Sequence, residues 1–388
     1  MSKFVRALVF STVILSVFLA GCGSSGSSSQ APTAVMPAAT QSSSIVVNTP
    51  VPVTDGGGSS IAITGAGATF PFPLYSKWFY DYAFVDPSVK FNYQAIGSGG
   101  GIKQITAKTV DFGASDAILS SDQLAAAPGV QMFPTVAGAE VLAYNLMGAD
   151  SKPITATVKF PYTAVADIYL GKIKKWNDPV LTAANPDVKL PDKDIIVVHR
   201  SDGSGTTFIF TDYLSKVSPD WQSKVGNAAS VQWPVGLGGK GNDGVAGTVS
   251  QNDGAIGYVE LAYALTNKLS YGVPQNKAGQ YLDPKDPAAV QSAMADFGTD
   301  LGDKLAISIV DAPGQQSYPI SGYTYLLFYM DQQDCAKAQK LVAFYKWAQS
   351  QGTKDATDLN YIPLPDAVKS QALVKLGKMT CQGNPIGG

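Results

Sequence analysis

From Ile61 onward, apolar and polar positions repeat about every two residues and then about every 3.6, in turn, which is the signature of strands alternating with helices. Ile61-Ala62-Ile63-Thr64 is a short β-branched run that predicts a strand. The aromatic-rich stretch 74–84 follows Pro71 and Pro73, which a helix tolerates in its first turn, and predicts a helix. Residues 89–96 alternate as a strand, Gly97-Ser98-Gly99-Gly100-Gly101 reads as a turn, and 102–108 continues as a helix. Ile195-Ile196-Val197-Val198 is a buried-strand run, followed by His199-Arg200-Ser201-Asp202-Gly203-Ser204-Gly205-Thr206-Thr207 and an amphipathic stretch ending near Lys216. Ala338, Leu341, Val342, Tyr345 and Ala348 fall at helical spacing and predict a core-facing stripe. The alternation predicts an α/β fold built on parallel sheets.

The first sixty residues follow another logic. Lys3 and Arg6 precede an apolar stretch at 7–20 that has the length of a signal-peptide core and is too short for a stable span. Leu19-Ala20-Gly21-Cys22 then resembles the lipobox of bacterial lipoproteins, in which the Cys thiol is lipidated; the alternative is an ordinary secretory signal followed by a chance cysteine. The expectation is a signal peptide at 1–21, lipidation at Cys22, and a flexible tether at 22–60. Ser, Gly, Ala, Pro, Thr and Val dominate that tether, which cannot bury enough apolar surface to offset its ordering entropy. Such a chain implies an extracytoplasmic domain anchored to a membrane and working in solution beside it.

Composition removes several function classes. Of 388 residues, 28 Lys+Arg stand against 30 Asp+Glu, so no basic excess points to nucleic acid. The single histidine, His199, excludes His-rich metal sites, and three cysteines cannot form a four-thiolate cluster, so neither metal nor cofactor is expected. With Cys22 assigned to lipidation, Cys335 and Cys381 remain. In an exported protein such a pair predicts a disulfide, with two buried free thiols as the alternative.

Candidate chemistry lies at three strand–(Gly/Ser/Thr)–helix junctions, near Thr69, Ser98 and Ser204. Helix starts leave N–H groups unpaired and carry partial positive charge; glycine lets a ligand approach, and Ser or Thr adds a hydroxyl. Together they suit a tetrahedral oxyanion, although glycine and serine are also ordinary turn and cap residues. Arg200 follows an apolar strand and can grip two oxygens, with Asp202 placed to hold it or to cap the next helix. Asp116 ends Val110-Asp111-Phe112-Gly113-Ala114-Ser115-Asp116 at a strand's C-terminal edge, where open α/β sheets place ligands; its bland reading is a cap or a surface acid. A carboxylate beside an anion makes sense if the anion brings a proton. Phosphate near neutral pH keeps one, whereas sulfate has none and is repelled.

Enzyme motifs are near misses. Gly113-Ala114-Ser115-Asp116-Ala117 lacks the final glycine of a nucleophile elbow, and Gly236-Leu237-Gly238-Gly239-Lys240-Gly241 has Gly241 where a nucleotide loop needs Ser or Thr. His199 is expected to be structural or solvent-facing.

Several ordered segments carry a resemblance. Ile63-Thr64-Gly65-Ala66-Gly67-Ala68-Thr69-Phe70-Pro71, Gly97-Ser98-Gly99-Gly100-Gly101-Ile102-Lys103-Gln104, the stretch Val110 to Asp116, Ile168-Tyr169-Leu170-Gly171-Lys172-Ile173-Lys174-Lys175-Trp176, Arg200 to Thr206, and Gly236 to Gly244 resemble periplasmic phosphate-binding proteins of bacterial phosphate ABC importers. The likeness runs from Ile61 to the C-terminus. It implies a class II periplasmic-binding-protein fold: two α/β domains joined by a two-segment hinge, with 61–145 plus 319–388 as the first and 146–318 as the second. It implies a monomer that captures inorganic phosphate in the cleft and delivers it to the membrane permease, without catalysis. A phosphohydrolase on the same scaffold, or a receptor for another oxyanion, is the alternative. By the same resemblance Thr69 and Phe70 donate backbone N–H groups, and Thr69 and Ser98 hydroxyls as well. Asp116 accepts the phosphate proton, Arg200 supplies the cation steadied by Asp202, and Ser204, Gly205 and Thr206 supply helix-start donors. Gly99, where many relatives carry a second serine, and His199, where a relative has arginine, depart from the pattern outside these positions.

Overall fold

The computed structural model describes residues 60–386, so the expected leader at 1–21, Cys22 and the tether up to residue 59 lie outside the described residues. Ten strands and one short segment make the main sheet. They are β1 (Ile61–Gly67), β2 (Val89–Ala95), β3 (Phe112–Ser115), β4 (Val130–Asn145) and β5 (Lys159–Phe160), then β6 (Ile196–Arg200), β7 (Leu237–Gly239), β8 (Ala255–Glu260), β9 (Ser270–Pro274) and β10 (Ser321–Tyr329). The spatial order is β2-β1-β3-β10-β4-β8-β6-β7; β9 also pairs with β4, β5 with β9, and Ile362–Pro363 with β4.

Two groups of strands are parallel, as the alternation predicts: β1 with β2 and β3, and β6 with β7 and β8. The middle corrects that expectation. β10 runs antiparallel to β3 and β4, and β4 runs antiparallel to β8 and β9, so the sheet is mixed. Alternation assumes that every strand returns through a helix. β4 instead continues through both groups, pairing with β10 up to Ala139 and with β8 from Glu140. All its residues but Asn145 are buried, which explains its nearly unbroken apolar run.

Pro134 sits inside β4, where its missing N–H would break a regular ladder. The register shifts there: Thr324 pairs with Val136 while Tyr325 pairs with Pro134, leaving Thr135 unopposed. Thr135 recovers its polar balance by donating its hydroxyl to the Thr324 carbonyl at 3.2 Å. The irregularity falls at Thr324, whose side chain reaches the site described below.

The helices hold their predicted places with one change. Phe72–Val85 buries Leu74, Tyr75, Trp78 and Tyr82, and Cys335–Ala348 buries the whole Ala338, Leu341, Val342, Tyr345, Ala348 stripe. Each large apolar side chain so buried stabilises the fold by roughly 1.5–3 kcal/mol. The expected glycine turn at 97–101 is instead largely helix, because Ser98–Thr106 begins within it. Gly97, at φ 85, makes the reversal alone as the N-cap, so Ser98 already occupies the first helical position.

Cys335 and Cys381 form a disulfide with Cα atoms 5.4 Å apart, tying the start of the helix Cys335–Ala348 to the small sheet that contains Thr380–Cys381. The bond closes a loop of sequence separation 46, for which chain entropy gives a stabilisation of about 4 kcal/mol. Cys381→Ser is therefore expected to lower urea-unfolding stability by about 3–4 kcal/mol. A loss below about 1 kcal/mol would show that the reduced chain is already restrained there.

Candidate functional site

Every candidate position follows the C-terminal end of a parallel strand. Thr69 and Phe70 follow β1, Ser98 follows β2, Asp116 follows β3, Arg200 ends β6, and Ser204 caps the helix Gly205–Val217. β6 runs opposite to β1, β2 and β3, so these strand ends face each other, and the helix starts that follow them bring unpaired N–H groups together. Thr69, Phe70, Ser98, Asp116, Arg200, Ser204, Gly205 and Thr206 are all buried.

They also meet. Ser98 Oγ donates to Asp116 Oδ2 at 3.3 Å and accepts the Asp116 backbone N–H at 3.2 Å. The Gly99 N–H donates to the Gly203 carbonyl at 2.9 Å, linking the second junction to the third. Gly205 shows how tight the approach is: a Cβ there would lie 2.5 Å from Asp116 Oδ2 and 2.6 Å from Ser98 Oγ. Only a glycine fits that contact as packed.

Arg200 is held in a fork. Its Nε donates to Asp202 Oδ1 at 2.8 Å, its Nη2 to Asp202 Oδ2 at 2.6 Å, and its Nη1 to Thr206 Oγ1 at 3.1 Å. Burial opposes the charge of both partners. Even so, the hydrogen bonds and attraction between them hold Asp202 below, and Arg200 above, their ordinary ranges. Asp202 Oδ1 also accepts the Gly241 N–H at 3.1 Å, so the acid both steadies the cation and pins the next loop.

Asp116 behaves differently. Burial pushes its carboxyl up to about 7, against the hydrogen bond from Thr324, the nearby Arg200 charge and the bond from Ser98. Thr324 Oγ1 donates to Asp116 Oδ1 at 2.7 Å. A dry carboxylate balanced near neutrality is suited to exchanging a proton with a ligand.

Asn242, to which sequence reasoning gave no role, ties the two sides together. Its Nδ2 donates to Thr69 Oγ1 at 2.9 Å and to Thr206 Oγ1 at 3.0 Å, while its Oδ1 accepts the Glu260 N–H at 2.9 Å. Its own N–H donates to Thr69 Oγ1 at 3.2 Å. Thr69 and Thr206 hydroxyls therefore each accept two bonds, which leaves the proton of each to donate. Tyr263 donates to the Thr69 carbonyl at 2.5 Å, and Tyr361 lies 2.7 Å from the Phe70 carbonyl and 2.9 Å from Glu260 Oε2. Asn242 lies within the motif at 236–244, but Thr324, Tyr263, Glu260 and Tyr361 come from segments with no local signal.

The enzyme alternatives find no support in geometry. Ser115 Oγ donates to the Ala117 carbonyl at 2.8 Å rather than to a base. His199 stacks on Trp233, with ring centroids 4.8 Å apart, and its Nδ1 lies 3.0 Å from the Arg200 carbonyl. Among the described residues, no group of three or more His, Cys, Asp or Glu is placed to hold a metal ion.

A fold of this kind, with strand ends and helix starts from distant segments sharing one dry cleft, defines a binding protein. The model of the PBP superfamily domain matches residues 31–351, and the chain belongs to that superfamily. A phosphate-binding protein PstS of Xylella fastidiosa is 47% identical over 80% of this chain and 84% of its own. One from Haemophilus influenzae is also 47% identical, over 80% and 90%. Within the superfamily, the chain belongs to the family of these PstS relatives. A solved phosphate-binding protein from Stenotrophomonas maltophilia has the same fold, with a TM-score of 0.61 at 20% identity over 80% of this chain and 93% of its own.

Removal of Asn242 tests the tie between the two sides. Asn242→Ala strips partners from the buried Glu260 N–H and from both threonine hydroxyls, and is expected to cost about 2–4 kcal/mol in urea unfolding. A cost under about 0.5 kcal/mol would mean that the Asn242 bonds carry no net weight.

Proposed function

We propose that this protein captures inorganic phosphate outside the cytoplasm and hands it to the permease of an ABC importer. The observation that carries this reading is the buried carboxylate of Asp116 set among hydrogen-bond donors and near Arg200. Thr69, Phe70, Ser98, Arg200, Ser204, Gly205 and Thr206 present N–H, O–H and guanidinium groups to the anion, and Asp116 accepts its proton. Sulfate brings no proton, so its oxygen faces a carboxylate at short range. Sites matched to a polar group reject analogues lacking it by roughly 10⁴–10⁵-fold. The names of the PstS relatives support the ligand.

The same proposal divides the chain into lobes 61–145 plus 319–388 and 146–318, hinged where β4 and β10 run through the middle of the sheet. A ligand touching both lobes favours the closed arrangement by its differential affinity. The permease reads that closed form. Residues 1–21 direct export, Cys22 carries the lipid anchor, and the tether at 22–60 lets a monomer work near the membrane. Among the described residues, no helix is long and apolar enough to cross a membrane.

Calorimetric titration with phosphate and sulfate tests the reading. The wild type is expected to bind phosphate selectively, and Asp116→Asn to gain sulfate binding because its amide can donate. Since Asp116 is half-protonated near pH 7, acid also gives it an O–H to donate. Sulfate competition is therefore expected to be stronger at pH 5.5 than at pH 8 (both on the order of one to two units from that midpoint), and to lose this pH dependence in the asparagine variant. Equal wild-type affinity for both anions at pH 8 would overturn the proton filter. Gly205→Ala is expected to keep its melting temperature within a few degrees, yet to lose phosphate affinity by roughly 5- to 150-fold, as an ordinary overpacking cost of about 1–3 kcal/mol would produce. Unchanged affinity would show that closure does not need this contact.

A further inference from the structure

Glu140 lies where β4 changes partners, and it has no part in the site described so far. It is 0% exposed, and neither Oε1 nor Oε2 has a hydrogen-bond partner. Its backbone is ordinary: the N–H donates to the Ile320 carbonyl at 2.9 Å, and the carbonyl accepts from the Tyr318 hydroxyl at 2.8 Å.

Directly opposite Glu140, across the β4–β8 ladder, stands Glu260, also 0% exposed. Opposed residues of an antiparallel pair project from the same face, so the two side chains leave the ladder on one side. Glu260 Oε2 accepts from the Ala262 N–H at 2.9 Å and from Tyr361, but Glu260 Oε1 is buried without a partner. Three buried carboxyl oxygens thus lack any donor.

The surrounding charges cannot supply one. Asp116 and Arg200 both act on Glu140, and Arg200 is already engaged by Asp202. The nearby Tyr169, Tyr258, Tyr318 and Tyr361 hydroxyls are pushed up by burial and stay neutral, and Tyr263, which faces Glu260, does the same. Two ionised carboxylates side by side in this setting would be prohibitive, and a proton between them removes the problem. Burial pushes both carboxyls well above their ordinary range; the Ala262 N–H and the Tyr361 hydroxyl oppose that shift at Glu260, and no donor opposes it at Glu140, so Glu140 carries the proton.

We propose that Glu140 and Glu260 form a buried acid pair, set opposite each other on the β4–β8 ladder, in which Glu140 holds a proton, and that the cleft needs this proton to keep its affinity for an anion. Glu260 connects to the anion side through Tyr361 to the Phe70 carbonyl, and through Asn242 to Thr69 and Thr206. Loss of the proton adds a negative charge behind those donors. Burial, then Asp116 and Glu260, raise the Glu140 carboxyl well above its ordinary range. A raised acid favours the folded state in acid and loses that contribution as pH climbs, so wild-type stability falls relative to a neutral variant from about pH 5 upward.

The test compares wild type with Glu140→Gln, which keeps the shape and donates an amide hydrogen, and with Glu140→Val for the stability measurement if glutamine disturbs packing. Infrared spectra of protein labelled with carbon-13 glutamate separate glutamate from Asp116. A protonated-glutamate carbonyl band is expected in the wild type at neutral pH and is expected to lose intensity in Glu140→Gln, an unchanged band overturning the assignment to Glu140. The ratio of wild-type to variant folding constants is expected to fall about tenfold per pH unit while the pair keeps its proton. The absence of the band, or parallel stability curves, overturns the acid pair. The affinity arm rests on the phosphate reading. The wild-type to variant ratio of phosphate affinities, in which phosphate's own ionisation cancels, is expected to fall over the pH range in which the wild-type infrared band disappears. A constant ratio overturns the coupling. No phosphate binding by either protein refutes the phosphate reading, while the infrared band and stability ratio still decide the pair.

Discussion

The fork between Arg200 and Asp202 is the interaction on which the site depends. A buried guanidinium without a partner would be ruinous, and a buried carboxylate equally so. Held in two hydrogen bonds of 2.8 and 2.6 Å, they make a neutral, rigid unit. That unit leaves Arg200 Nη1 to Thr206 and Asp202 Oδ1 to the Gly241 N–H. The cation is therefore positioned before any anion arrives, and little side-chain entropy remains to be lost on binding. The other polar groups are arranged around this fixed point.

Architecture explains why so many segments reach it. β1 and β3 run one way and β6 the other, so their C-terminal ends face each other about the middle of β4, and the helices that follow bring their unpaired N–H groups there. β4 and β10, running antiparallel through the middle, connect the two parallel groups without a helix crossing the site. The shift at Pro134 has a functional consequence as well, because it falls at Thr324, whose hydroxyl holds Asp116. A proline in a buried central strand thus reads as a device for aiming a side chain.

Much of this was legible in the sequence, for local reasons. A strand followed by Gly, Ser or Thr and then a helix start is written in adjacent residues, so the sequence pointed to Thr69, Ser98 and Ser204 and their helices. Arg200 and Asp202 lie two residues apart, and their pairing was readable too. The antiparallel centre was not, since nothing in the apolar run of β4 distinguishes a strand between parallel neighbours from one crossing both groups. Glycines at 97–101 suggested a turn because propensity is weak evidence against tertiary context, and here Gly97 alone makes the reversal. Thr324, Tyr263 and Tyr361 reach the site from more than one hundred residues away from the segments they contact. Such contacts are set by sheet order and carry no local mark.

A chain of net charge −2, with acids inside its cleft, is a coherent design for holding an anion. Surface charges more than about 8 Å away are screened by salt, so overall charge says little about a dry site. Inside it, each acid has a distinct job set by its partners. Asp202 has a guanidinium and stays ionised. Asp116 has hydroxyls and a nearby cation that Asp202 already holds, and burial brings it to about 7. Glu140 has no donor at all, and burial drives it towards the neutral form. Three carboxyls of the same chemistry thus occupy three protonation regimes within one cleft, ordered by how many donors each receives. That gradation lets one arginine suffice: of these three, only the acid that grips it must be charged, while the other two can hold or trade a proton.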